Sequence, residues 1–192
     1  MRCFIALPVS AEVKAEAAKI QAKITRENPG AVVKWTEPEN FHLTLKFLGE
    51  ISEAEAERVK NILVELAGRH NAFSCGLKRF SGFPNLKQPN VLVIELEGGE
   101  KEGRELWQDL DAALTSAGFV FEDEKPWRPH LTLGRVKDGA RFSNLEKISV
   151  APVSWTIDNL EFFKSTLTPA GPKYEKIGEW GLKTTGFPPS RE

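Results

Sequence analysis

The chain has 192 residues, enough to bury a core and more than one typical domain of about 150 residues needs, so one unit spanning 1–192 and built of two lobes is expected. Apolar residues make up 41% and charged residues 28%, which argues against extended disorder, and a formal net charge of -1 excludes a bulk positive field for a long polyanion. Any nucleic-acid recognition must therefore be local. The only two cysteines, Cys3 and Cys75, lack a Cys-x-x-Cys spacing, the opening apolar run is too short for a signal peptide, and no segment could span a bilayer. The expectation is a cytoplasmic protein with buried thiols and no membrane association.

Residues 4–9 have the composition of a strand closed by Pro8, and Ser10 is placed to cap a helix over Ala11–Glu27, where Val13, Ala17, Ile20 and Ile24 recur at helical spacing. Asn28-Pro29-Gly30 ends it. A short strand follows over 32–35, and Pro38-Glu39-Asn40 turns the chain into another that ends at Gly49. Ser52 and Glu55 form a capping-box signature before a helix with Val59, Ile62, Leu63, Leu66 and Ala67 inward. Strands are predicted over 73–80 and Val91–Glu97, joined by a breaker-rich loop at 81–90. The periodicity then gives a helix over Glu100–Ser116, a strand over 119–121, a turn through Pro126 and Pro129, and a strand over about 130–136. Room remains for a short helix within 142–148, strands over 153–163 and 174–180, and a loose tail over 184–192.

One tetrapeptide occurs twice in this order: His42-Leu43-Thr44-Leu45 and His130-Leu131-Thr132-Leu133. The copies lie 88 residues apart, and the same offset carries Gly30 onto Gly118, Val32 onto Val120 and Pro38 onto Pro126. The second half therefore repeats the first, and two copies more naturally face one another about a pseudo-two-fold axis than stack.

On an alternating strand His and Thr share one face while the leucines bury. Strict alternation would also turn Leu43, Leu45 and Phe47 inward and leave Asn40, His42, Thr44 and Lys46 on the open face, opposite Arg128, His130 and Thr132. A cleft between the lobes would then hold two imidazoles, two hydroxyls and at least one cation. That inventory suits acid and base catalysis on a phosphodiester, with one histidine taking a proton and the other giving one. It requires no cofactor and no metal; His70, Cys3 and Cys75 show no ligand spacing. His70, at a helix end, is expected to cap or to be exposed. Among Phe80, Phe83, Trp127 and Tyr174, the reading favours core except for Phe80 and, second to it, Phe83, which flank the long loop and are candidates for stacking a base.

At these residues the sequence resembles the two-histidine (2H) phosphoesterase superfamily, in particular RNA 2',3'-cyclic phosphodiesterases, also called 2'-5' RNA ligases, of archaea and bacteria. The resemblance spans essentially the whole chain and rests on both His-x-Thr signatures, on Phe47-Leu48-Gly49, on Phe80-Ser81-Gly82-Phe83-Pro84 and on Arg128-Pro129-His130. It implies an α+β fold: two pseudo-symmetric lobes of antiparallel sheet, with outer helices, around a central cleft. It also implies hydrolysis of an RNA 2',3'-cyclic phosphate end to a 2'-phosphate, with His42 as proton donor and His130 as proton acceptor. Thr44, Thr132 and Arg128, with Lys46 beside them, would hold the phosphate, and Phe80 would stack the terminal base. Reversal with an RNA 5'-hydroxyl, as on tRNA halves, would give 2'-5' ligation. A monomer without a protein partner is expected. Two alternatives stand beside this: a non-catalytic RNA-end binder, and another 2H activity on 2'-5' oligoadenylate or nucleotide cyclic phosphates.

Overall fold

The amphipathic patterns fold into nine strands and three α-helices among the described residues of a computed structural model, which are 1–121, 127–137, 140–168 and 171–184. In chain order they are β1 (Arg2–Leu7), α1 (Ala11–Glu27), β2 (Val33–Trp35), β3 (Leu43–Glu50), α2 (Glu53–Ala67), β4 (Phe73–Phe83) and β5 (Val91–Glu97). Then come α3 (Glu100–Ser116), β6 (His130–Val136), β7 (Ser154–Ile157), β8 (Asn159–Thr168) and β9 (Gly171–Gly181). Two antiparallel sheets result, in the orders β3-β1-β8-β9 and β2-β6-β5-β4-β7. The fold is α+β.

The helix signals act as the sequence suggests. The Ser10 hydroxyl accepts from the Val13 amide at the start of α1, and Ser52 with Glu55 closes a complete capping box on α2. α2 lies against β8 and β9, and α3 lies against α2. α1 instead covers the second sheet, where the Gln21 amide donates to the carbonyls of Thr36 and Leu133, each at 2.8 Å. Leucines of both motifs, Leu43, Leu45, Leu131 and Leu133, are buried in one continuous core. Among the described residues, no helix is long and apolar enough to cross a membrane.

Three differences from the sequence reading have physical causes. Residues 119–121 form no strand: Phe119 and Phe121 stack on each other, and Phe119 is buried in the core instead. The stretch read as one strand over 153–163 breaks at Asp158, so that β7 pairs with β4 in one sheet and β8 with β1 in the other. The two halves of the chain also interleave, because α1 and β2 from the first half complete the sheet that holds the second motif. Of the stretches named above, Pro126 and the tail beyond Thr184 lie outside the described residues.

Gln21 joins this interleaved pair, so Gln21→Leu should leave the Thr36 carbonyl short of a donor and lower unfolding stability by about 1–3 kcal/mol. Urea denaturation read by circular dichroism checks it; an unchanged midpoint and slope would remove Gln21 from this role.

Candidate active site

His42 stands immediately before β3 and His130 opens β6, each directly after a turn, and both are held in the same way. The Nδ1–H of His42 donates to the carbonyl of Asn40 at 2.7 Å, and that of His130 to the carbonyl of Arg128 at 2.7 Å. A carbonyl only accepts, so each bond fixes the proton on Nδ1 and leaves a lone pair on Nε2 in the neutral ring. Nε2 of His42 lies 3.2 Å from the Thr44 hydroxyl. The rings are near enough that a proton on His130 disfavours one on His42. The motif strands β3 and β6 touch where the two sheets meet.

The surroundings are aromatic. Phe4 stacks on His42 with centroids 4.8 Å apart, and Tyr174 meets the same ring edge-on at 5.5 Å. In the other lobe Phe83 stands edge-on to His130 at 5.2 Å, with the Arg128 guanidinium 5.3 Å above the Phe83 ring. A cavity of about 390 Å³ opens beside His42, bordered by Lys14, Asn40, Glu161, Phe163 and Tyr174. Burial pushes His42 down to about 4 against the opposing pull of the Asn40 carbonyl, and burial also lowers His130. Both rings are therefore neutral in the free protein at neutral pH.

The motif strands share an irregularity that alternation does not foresee. In β3, Thr44 pairs with Ala6 and Lys46 with Ile5, so Leu45 is an extra, bulged residue; in β6, Thr132 pairs with Val93 and Gly134 with Leu92, so Leu133 is the equivalent bulge. Each bulge flips the side-chain phase after the threonine. This corrects the placement of Lys46, which turns with Ile5 away from Thr44. Its ammonium is buried, forms an ion pair with Asp111 of α3 and lies 4.0 Å from the Phe121 ring centroid. Phe47, expected inside, emerges on the cleft face beside Phe4, with 59% of its surface exposed.

Phe80 is also corrected. It pairs with Ile94, which pairs with Leu131, so all three point into the core and Phe80 cannot stack a base. Its neighbour Phe83, opposite in phase, reaches His130. Tyr174, expected in the core, borders His42; Trp127, also expected there, is half-buried and donates its indole N–H to the Thr44 carbonyl at 3.0 Å. His70 lies outside the site, with Nε2 3.0 Å from an Asp109 carboxylate oxygen. The sequence reading does not single out Arg135, yet its register with Val91 puts it on the cleft face of β6. The repeat contained the signal for these residues: Phe4 pairs with Phe47 and Phe163 as Val91 pairs with Arg135 and Phe83. Among the described residues no cluster of three or more His, Cys, Asp or Glu side chains could hold a metal.

Two sheets that each present a His-x-Thr strand to one cleft define a two-histidine phosphoesterase. The chain belongs to the LigT-like phosphoesterase family of that superfamily, whose family model matches residues 7–93 and 95–174. It is 34% identical to a Thermotoga maritima protein named RNA 2',3'-cyclic phosphodiesterase, over 93% of this chain and 94% of that one. A Methanocaldococcus jannaschii protein of the same name is 32% identical over 94% of this chain and 100% of its own. Among solved structures, a protein of Thermus thermophilus superposes with a TM-score of 0.80 at 29% identity, covering 97% of this chain and all of the other. The fold is also that of Escherichia coli LigT in complex with 3'-AMP, with a TM-score of 0.74 at 20% identity over 94% of this chain and 97% of the other.

Lys46 and His42 give separable predictions. Lys46→Met should lower thermal stability by leaving Asp111 without its ammonium, while KM for a phosphodiester stays within about threefold; a tenfold or greater rise in KM would restore Lys46 to the phosphate site. The depressed His42 pKa means the unfolded chain binds the proton more readily. Stability should accordingly be intact above about pH 6.5 and fall as pH drops toward 4, by about 3 kcal/mol at most. Thermal melts of the protein and of His42→Asn between pH 7 and 4 check this, the variant showing the smaller loss.

Proposed function

We propose that residues 1–192 act as one unit that hydrolyses the 2',3'-cyclic phosphate at an RNA end to a 2'-phosphate. The observation that carries the reading is the pair of matching imidazoles, each with Nδ1 tied to a carbonyl and Nε2 left for proton transfer, on two sheets that meet at one cleft. The names of the relatives supply the substrate class. Water attacks phosphorus while His130 Nε2 takes its proton; the bond from phosphorus to O3' breaks, and His42 Nε2 delivers a proton to the departing O3'. The ring opens with its phosphate on O2', and the proton count balances once the two histidines exchange a proton through solvent.

Thr44, Thr132 and Arg128 hold the non-bridging oxygens as charge redistributes in the transition state. The hydroxyl of Thr44 already faces His42, and Arg128 is held over Phe83 beside His130. Phe83 takes over from Phe80 as the candidate for the terminal base. No metal enters this scheme, because two imidazoles supply both proton transfers. Run backwards with an RNA 5'-hydroxyl in place of water, as on tRNA halves, the same exchange joins ends through a 2'-5' bond, and the histidines swap roles. We place the protein in a reducing compartment such as the cytoplasm and as a monomer. Its free thiols Cys3 and Cys75 are buried, and burial raises Cys75 to about 11, where it stays protonated.

The test is an oligoribonucleotide with a 2',3'-cyclic phosphate end, incubated in excess EDTA, with the product phosphate identified. A 2'-phosphate is expected, and His42→Ala or His130→Ala should each lower turnover by about 10²–10⁴-fold with the fold retained. A 3'-phosphate, or full activity in either variant, sinks the assignment.

Acid catalysis also needs a proton on a ring whose free pKa is depressed. The singly protonated pair is most populated between the two lowered pKa values, so kcat/KM should peak below pH 6.5. Bound phosphate, an anion, stabilises the imidazolium and should move the kcat optimum to higher pH. Identical optima in both parameters would argue against paired neutral histidines.

A further inference from the structure

The concave face of the first sheet continues past the histidines, and its chemistry differs at its two ends. At one end, beyond Lys14, lie carboxylates: Glu39 borders the cavity, and Glu161 and Glu179 hold Lys176 between them at 2.7 and 2.5 Å. From Phe163 and Tyr174 at the cavity the face runs on as aromatic toward its other end. Phe4 pairs with Phe47 on one side and Phe163 on the other, and Tyr174 lies 4.9 Å from Phe4, so the four rings form one surface. Phe47 stands at its outer edge, about 10 Å along β3 from Thr44, and is the most exposed of the four.

Arginines border this aromatic end. Arg2 follows the phase of Phe4 on β1, two residues away, and is exposed. Arg135 rises from the facing sheet on the strand that carries His130 and Thr132, and its charge reaches both His130 and Tyr174. The carboxylate nearest to Arg2 in register, Glu50, is engaged by the N-terminal ammonium at 3.3 Å. An exposed ring bordered by arginines and continuous with a phosphoryl site, here Phe47, is how proteins hold single-stranded RNA: rings stack bases and cations follow phosphates.

We propose that the aromatic, arginine-bordered end of the cleft holds the single-stranded RNA leading to the cyclic end, with Phe47 stacking the base next to the terminal nucleotide and Arg2 and Arg135 on its phosphates. The proposal rests on the RNA reading above and adds the direction in which the strand leaves the histidines. It makes Phe47 a residue that distinguishes an RNA end from a free nucleotide.

The test is binding of a fluorescent hexaribonucleotide ending in a 2'-phosphate, which the protein cannot hydrolyse further, followed by anisotropy. Phe47→Ala should weaken binding about tenfold, within the range that loss of one stacked base produces, and Phe47→Trp should keep it. Arg135→Gln should weaken binding and flatten its dependence on salt by about 0.7 in the log–log slope. Because Phe47 is exposed, its variants should melt as the parent does, which a thermal scan verifies. Unchanged binding in Phe47→Ala overturns the proposal, as does equal weakening in Phe47→Trp, loss through Lys14→Ala instead, or no binding by the parent protein.

Hydrolysis of a mononucleoside 2',3'-cyclic phosphate, run alongside, keeps the two readings apart. Binding that depends on Phe47 without hydrolysis keeps the strand track and rejects the phosphodiesterase. Hydrolysis with binding that ignores Phe47 does the reverse.

Discussion

The site depends on one backbone device used twice, a bulge at the second leucine of each His-Leu-Thr-Leu strand. Before the bulge, His and Thr face the cleft and the first leucine faces the core; after it the phase is reversed, so the strand serves the cleft again from the next position but one. On the β2 side of β6 the Thr36 amide donates to the Leu133 carbonyl, one rung beyond the Trp35–Gly134 pair, and the Gln21 side chain donates to the same oxygen, each at 2.8 Å. That carbonyl ties helix α1 to the second motif strand.

What occupies the flipped position differs between lobes for a topological reason. β3 is an edge strand, so Lys46 has room to turn toward α3 and Asp111. β6 is flanked on both sides, and a Cβ at the equivalent Gly134 would stand 2.8 Å from atoms of Trp35 and Val33. Glycine is there because a neighbouring strand occupies the volume. The pseudo-symmetry holds where chemistry faces the cleft and lapses where the two lobes pack against different things.

The histidines are poised by opposing effects. Desolvation by Phe4, Phe83 and Tyr174 disfavours the imidazolium, while the carbonyl behind each ring favours it, and desolvation prevails in both. A neutral pair suits a site awaiting an anion, since the phosphate supplies the charge that makes a proton favourable on one ring. Trp127 adds a physical link between the lobes, running from the turn before His130 to the carbonyl of Thr44.

The sequence by itself determined the three helices, most strands and the paired His-x-Thr motif that carries His42 and His130. Those features are local: a capping box, a 3.6-residue period or a two-residue alternation is written in neighbouring residues. It misplaced Lys46, Phe47, Phe80 and Tyr174, because their orientation follows from cross-strand register. A single bulged residue reverses every side chain beyond it without leaving a compositional trace. Which sheet received α1 and β2, why residues 119–121 remained outside a sheet, and how far burial lowered the histidines were decided only by the tertiary structure. Each of these is fixed by contacts between segments far apart in the chain.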